Sequence, residues 1–337
     1  MRRIYSLVLF AICTLPLMAG NIVKVTISDG IDNAVVKVKM ENAMSSILSE
    51  ANSAQKEGRQ MNYSLLDISN EVQGEIAALW ANSPFVCIEE NIVEKCITTQ
   101  SGYQVRNIPL VLKPVNSSDV SQDEEYQEAV INFDKQGNVT SFLLAINNNL
   151  YMKVLKDNKG VTDSRRRQII LDYVEQFRTS YNQKDINFLE NVFSEDALII
   201  TGRVIKRKAN DGIPLPDKIV YNKLTKEKYL ANLRTVFSKN KYIHVTFDEV
   251  EVVRHPKKTD FYGVTLHQGW TSDRYHDDGY VFLLWDFRDE THPQIHVRTW
   301  QPYAYNKDGK GIQHTPKEEI FSLFDFNELF QEEEEEE

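Results

Sequence analysis

Residues 165–202 read RRRQIILDYVEQFRTSYNQKDINFLENVFSEDALIITG, and the spacing within this stretch decides the fold of the chain's second half. Ile169, Ile170, Tyr173, Val174, Phe177 and Tyr181 recur at helical intervals, which predicts a long amphipathic helix with one buried stripe. Lys184-Asp185 breaks it. Asp185 is placed to cap a second, short helix whose inner face carries Phe188, Leu189, Val192 and Phe193. Asp196 then precedes Ala-Leu-Ile-Ile-Thr, a buried strand.

Further along, 203–224 is rich in Lys, Arg, Gly and Pro and reads as a long loop over one end of the fold. A helix at 225–239 follows, with Thr225 as its N-cap. Strands at 242–253, 261–271, 279–287 and 294–302 complete the unit. Over about 162–303, this order of helix, helix, strand, helix and four antiparallel strands resembles the NTF2-like (SnoaL-like) superfamily, and the chain as a whole resembles exported bacterial envelope proteins. The resemblance implies an α+β cone: a curved antiparallel sheet around a long helix, with a cavity inside. That fold hosts isomerases, hydrolases, ligand carriers and assembly modules alike, so it leaves function open.

Before this unit lie a helix over 34–57, stopped by Gly58, and another from about Asn70 to Ala81. Strands follow at 85–88, 92–98, 105–112, 126–133 and 139–146, with Gly137-Asn138 as a hairpin signal. Residues 21–152 thus form a smaller α+β domain, either a degenerate NTF2-like repeat or an unrelated fold. Residues 114–125 read as a polar loop, 153–164 as the connection, and 165–303 as the cone domain. In the segment 304–337, an aromatic run (Phe321, Phe324, Phe326, Phe330) is either a short helix docked on the body or a partner-binding segment. Glu332–Glu337 form a solvated tail.

Of the formal charge of −10, six negatives belong to that tail, leaving −4 for the rest. No basic patch argues for nucleic acid. Arg2 and Arg3 followed by the apolar run Ile4–Met18 read as an export signal over 1–20, either removed or kept as an anchor. No later segment is apolar enough to span a bilayer. The expected location is therefore the periplasm or the extracellular space. There Cys87 and Cys96 would form either a disulfide or two buried thiols.

In the ketosteroid-isomerase branch of the superfamily, a helical tyrosine donates to the substrate carbonyl and an aspartate abstracts the proton. Alignment puts Phe177 and Thr201 at those positions, and neither can do the job. The richest polar and aromatic cluster falls in the last three strands: His267, Trp270, Asp286, His296, Arg298 and Trp300, with Tyr181 facing them from the helix. Alternation places His296, Arg298 and Trp300 on one face, and His267 opposite Trp270. The bland reading is a structural Asp286–Arg298 ion pair with half-exposed histidines.

Gly279–Phe287 is apolar on both faces, which predicts that the outer face is covered by the first domain or a second subunit. No metal or cofactor is expected. His276-Asp277-Asp278 reads as a turn, and His292 and His296 lie about 13 Å apart if that segment is a strand. The expected function is a non-catalytic binding or assembly module for a small molecule, peptide or envelope protein. The alternative is an enzyme using His267, His296, Arg298 and Asp286 in the cone, which requires those groups to converge.

Overall fold

The computed structural model describes residues 22–113, 126–207, 215–273 and 275–330. The export segment 1–20, the polar loop 114–125 and the run Glu332–Glu337 lie outside the described residues.

In the first unit, strand β1 (Lys24–Asp29) leads into helix α1 (Ala34–Glu57). Asn33 caps α1 by accepting from the Val35 and Val36 amides, and Gly58 ends it in the left-handed region at φ 63°. Helix α2 (Asn70–Asn82) follows, capped by Ser69. Then come β2 (Phe85–Cys87), β3 (Asn91–Thr98), β4 (Gly102–Leu112), β5 (Tyr126–Asp134) and β6 (Val139–Leu144). The sheet order is β1-β3-β4-β5-β6, with β2 also on β4 and β1 parallel to β3. Met40, Met44, Ile47, Leu48 and Ala51 of α1 pack with Val105, Ile131, Phe133 and Phe142 of the sheet.

Cys87 and Cys96 are buried free thiols, so the disulfide alternative does not hold. Their partners on β4 are Leu110 and Val105. Five residues of strand put the two sulfurs about 15 Å apart, beyond the reach of a bridge.

Residues 153–164, expected as the connection, hold the end of helix α3 (Asn148–Lys156), a short turn and the start of α4 (Val161–Gln183). Helix α5 (Ile186–Val192) is capped by Asp185, as its sequence requires. Strands β7 (Phe193–Ile205) and β8 (Lys218–Leu224) pair with each other, so both ends of the expected 203–224 loop are sheet. Helix α6 (Lys226–Lys239) carries its Thr225 cap. Strands β9 (Ile243–Arg254), β10 (Phe261–Ser272), β11 (His276–Asp286) and β12 (Gln294–Pro302) pair antiparallel in sequence. The second sheet runs β8-β7-β12-β11-β10-β9, with β7 parallel to β12. It encloses α4, whose Ile170, Val174, Phe177 and Tyr181 are fully buried. This is the α+β cone expected from the sequence. Among the described residues no helix is long and apolar enough to cross a membrane.

The opposite side of α4 is buried too, contrary to the single stripe expected. Glu175 and Arg178 are enclosed between the two sheets. Glu175 accepts from Arg106 of β4 and from the Ile146 amide. Arg178 donates to the carbonyls of Ala145 and Val245 and to Gln127. Asn182 bonds both the amide and the carbonyl of Val245, which closes part of the free edge of β9. Beside this network burial and the Glu175 charge push the Asp172 carboxyl up to about 7, against donors from Gln104 and Tyr151.

The chain's own C-terminal segment covers part of the outer face of the second sheet. Leu323 and Phe326 are buried there against Ile200, Phe261, Phe282, Leu284 and Val297. Of the aromatic run, Phe321 and Phe326 pack on the body, while Phe324 stays exposed.

Candidate functional site

The structure divides the expected site residues between the two faces of the second sheet. Alternation puts His267 and Asp286 on the outer face, and a bulge adds His296 to them. The β11–β12 register slips between Leu284 and Trp285, and Ile295 joins the cone core while Val297 joins the outer cluster. His296 is the extra residue, and it turns outward, away from Arg298 and Trp300. There its Nε2 lies 3.1 Å from Asp286 Oδ2. Asp286 is held by Arg288, not by Arg298, so the Asp286–Arg298 pair does not form. Burial opposes its charge, but His296 and Arg288 overcome this and hold the carboxyl well below the usual range.

His267 is also on the outer face, toward the other end of the sheet. Its Nδ1 is 2.7 Å from Asp248, and its Nε2 is bonded to Asp278. Tyr303 stacks on the ring at 4.1 Å between centroids. Burial disfavours the imidazolium, yet the two aspartates raise its pKa to about 9. At neutral pH it is a cation held between carboxylates and is no general base. Asp248, Glu249 and His267 have ligand atoms within 4.8 Å of one another, a spacing that a single metal ion could bridge. Both His267 ring nitrogens are engaged by Asp248 and Asp278, so a metal would have to displace one of these contacts. Beside this cluster, between α3, β9 and the C-terminal segment, runs an open groove of about 800 Å³. None of the expected cone residues lines it.

Tyr181, Trp270, Arg298 and Trp300 come together on the inner face at the wide end of the cone. Tyr181 is buried, with its hydroxyl 2.6 Å from that of Tyr229 on α6. The Trp270 ring meets Tyr181 edge-on at 5.4 Å. Arg298 is 5% exposed and lies 5.3 Å from the Tyr229 ring, beside Tyr181. Trp300 lies flat over Gly202 and Gly279, where a Cβ would approach the indole to 2.7 and 2.4 Å. Only glycine admits the ring at those two positions.

Two members of this group were not singled out in the sequence. Asp277 begins β11 directly across from Trp270, where a turn was expected. Burial pushes its carboxyl up, against a hydrogen bond from Tyr275 and the charge of Arg298. Tyr229 shares an inward helical face with Leu233 and Phe237, and that periodicity could have found it.

Three polar atoms on this wall are buried without a hydrogen-bond partner: Arg298 Nε, Trp300 Nε1 and Asp277 Oδ1. Phe177 packs within the ring cluster of Tyr181, Phe193 and Phe247, and offers no donor. Thr201 is half-buried on β7. The arrangement can bind: it offers a guanidinium, an indole N–H, a carboxylate and flat aromatic walls. It has no nucleophile–base pair.

A scan against protein-family models gives no match, and neither does a comparison with curated protein sequences. Several solved structures are similar. Bd1075 of Bdellovibrio bacteriovorus is 13% identical at a TM-score of 0.32, covering 62% of this chain and 75% of that one. Kfla4162 of Kribbella flavida is 12% identical at 0.31, covering 45% and 95%. A candidate dehydratase from the NTF2-like family of Streptomyces avermitilis is 11% identical at 0.30, covering 42% and 97%. At these values the fold reading rests on the chain's own element order and strand pairing.

Proposed function

We propose that this chain is an exported, non-catalytic binding module that holds a small molecule at the mouth of its second cone. The observation that carries the reading is the wall formed by Arg298, Trp300 and Asp277, with three buried polar atoms that no neighbour satisfies. Leaving such groups unpaired costs about 1–3 kcal/mol each, so the site gains by taking a ligand that meets them. The groups an enzyme would need do not gather there. His267, His296 and Asp286 lie on the outer face, and His267 is already protonated. A catalytic reading would have to run on Asp277.

The test is native mass spectrometry of the mature protein purified from its own host. A retained small molecule, lost in an Arg298→Met variant, supports the reading. An empty cone with a co-purifying protein replaces it with an assembly role. The same spectrum reads the N-terminus. Loss of about the first 20 residues supports export, and an intact start at Met1 counts against cleavage.

A further inference from the structure

We infer that the cone mouth selects small aromatic carboxylates, with Arg298 as the charge that receives them; this rests on reading the mouth as a ligand site. Arg298 differs from the other buried arginines. Arg106 is paired with Glu175, Arg166 with Glu290 and Asp260, and Arg167 with Asp163. Arg178 has no carboxylate but spends its donors on two carbonyls and Gln127, and burial lowers its pKa to about 10. Arg298 has neither arrangement. Among the described residues it makes no ion pair within 4.0 Å. Its named contacts are the Tyr181 hydroxyl and the Tyr229 ring, and its Nε is unused. The nearest carboxylate, Asp277, acts on it only at a distance. A buried guanidinium without a contacting counter-charge is costly, and an oxyanion in the mouth supplies one.

Position narrows the class. Trp300 lies two residues along the same strand face, about 7 Å between Cα atoms, and its indole N–H is a second unused donor. One cationic and one neutral donor on the same wall suit a carboxylate with its two oxygens. Trp270, Trp300 and Tyr181 provide flat walls for an aromatic body. Asp277, opposite Trp270, accepts from a donor at the far end of the ligand and disfavours a second negative charge. The ligand chemistry is thus a monocarboxylate on a planar ring that carries an N–H or O–H.

Indole-3-acetate has that chemistry, and indole-3-acetamide is its uncharged counterpart. Titrating the full chain with each by calorimetry at pH 7 tests the inference. The acid should bind at least tenfold more tightly than the amide. Arg298→Met should abolish that preference, and Asp277→Asn should keep or strengthen it. If Arg298→Met does not fold, sodium benzoate should compete with the acid in the wild-type protein, and benzamide at the same concentration should not; equal competition would overturn the inference. Equal affinity for acid and amide would overturn the inference while leaving a binding module in place. An acid preference that persists in Arg298→Met would overturn it as well. Binding of neither compound, together with an empty cone in the native spectrum, would overturn both readings.

Discussion

Replacing Arg106 by methionine should cost about 4 kcal/mol of stability, because it strands a charge between the two sheets. Glu175 is fully buried, and Arg106 is 2% exposed. Both Glu175 oxygens accept from the guanidinium, one of them at 3.0 Å, and among the described residues the only other donor is the Ile146 amide at 2.9 Å. Removing one partner of such a pair costs about 3–5 kcal/mol, since the survivor must stay charged in a dry site or take up a proton. The guanidinium also lies 3.8 Å from the Tyr151 ring centroid, a contact contributing about 1 kcal/mol. Methionine recovers part of the packing, which places the net near the middle of the range. The double variant Arg106→Met/Glu175→Leu removes both charges and should regain at least about 2 kcal/mol relative to the sum of the single changes. Urea unfolding at pH 7, followed by far-UV circular dichroism and tryptophan fluorescence, measures all three. A loss under about 1 kcal/mol for Arg106→Met would refute the reasoning. So would strictly additive single and double changes.

Other outcomes follow from the same structure. His267 has a pKa raised to about 9, so its stabilising contribution is complete below about pH 6.5 and disappears as pH rises through 9. Because Asp248 and Asp278 are about half exposed, we expect only about 1–2 kcal/mol. His267→Gln should therefore lower the urea midpoint at pH 6 and leave it nearly unchanged at pH 10; parallel pH profiles would contradict this. Leu323→Asp should release the C-terminal segment from Phe282 and Leu284, increasing dye binding to exposed apolar surface and promoting self-association in size-exclusion chromatography. An unaltered elution profile and dye signal would count against the docked segment. Cys87 and Cys96 should react with a thiol reagent only after unfolding, with no mass change on reduction; an intramolecular disulfide would contradict the strand pairing at β4.

Local signals carried much of the fold. Helix 34–57 was legible because its apolar spacing lies between a real cap, Asn33, and a real stop, Gly58. The cone was legible because Asp185, Thr225 and the alternating strands each bound an element from within. Non-local partners were not legible. The polar side of α4 looked like a solvated face until Arg106 and Gln127 arrived from the first sheet. Strand β8 is a largely exposed edge in which Ile219, Val220 and Tyr221 run together, so it shows no apolar–polar alternation. At the site, simple alternation grouped His296 with Arg298, and a one-residue bulge separated them. Asp277 was hidden for a related reason: its role depends on β11 beginning early enough to face Trp270.

The central claim is that Arg298 and Trp300 turn their unused donors toward a ligand inside the cone. A crystal of the full chain soaked in 4-bromobenzoate tests it, because the bromine marks the ring independently. The account predicts the carboxylate about 3 Å from Arg298 Nε and Trp300 Nε1, with the bromine among Trp270 and Tyr181. A bromine in the outer groove beside Glu251 and Phe324, with the cone wall unliganded, would contradict it.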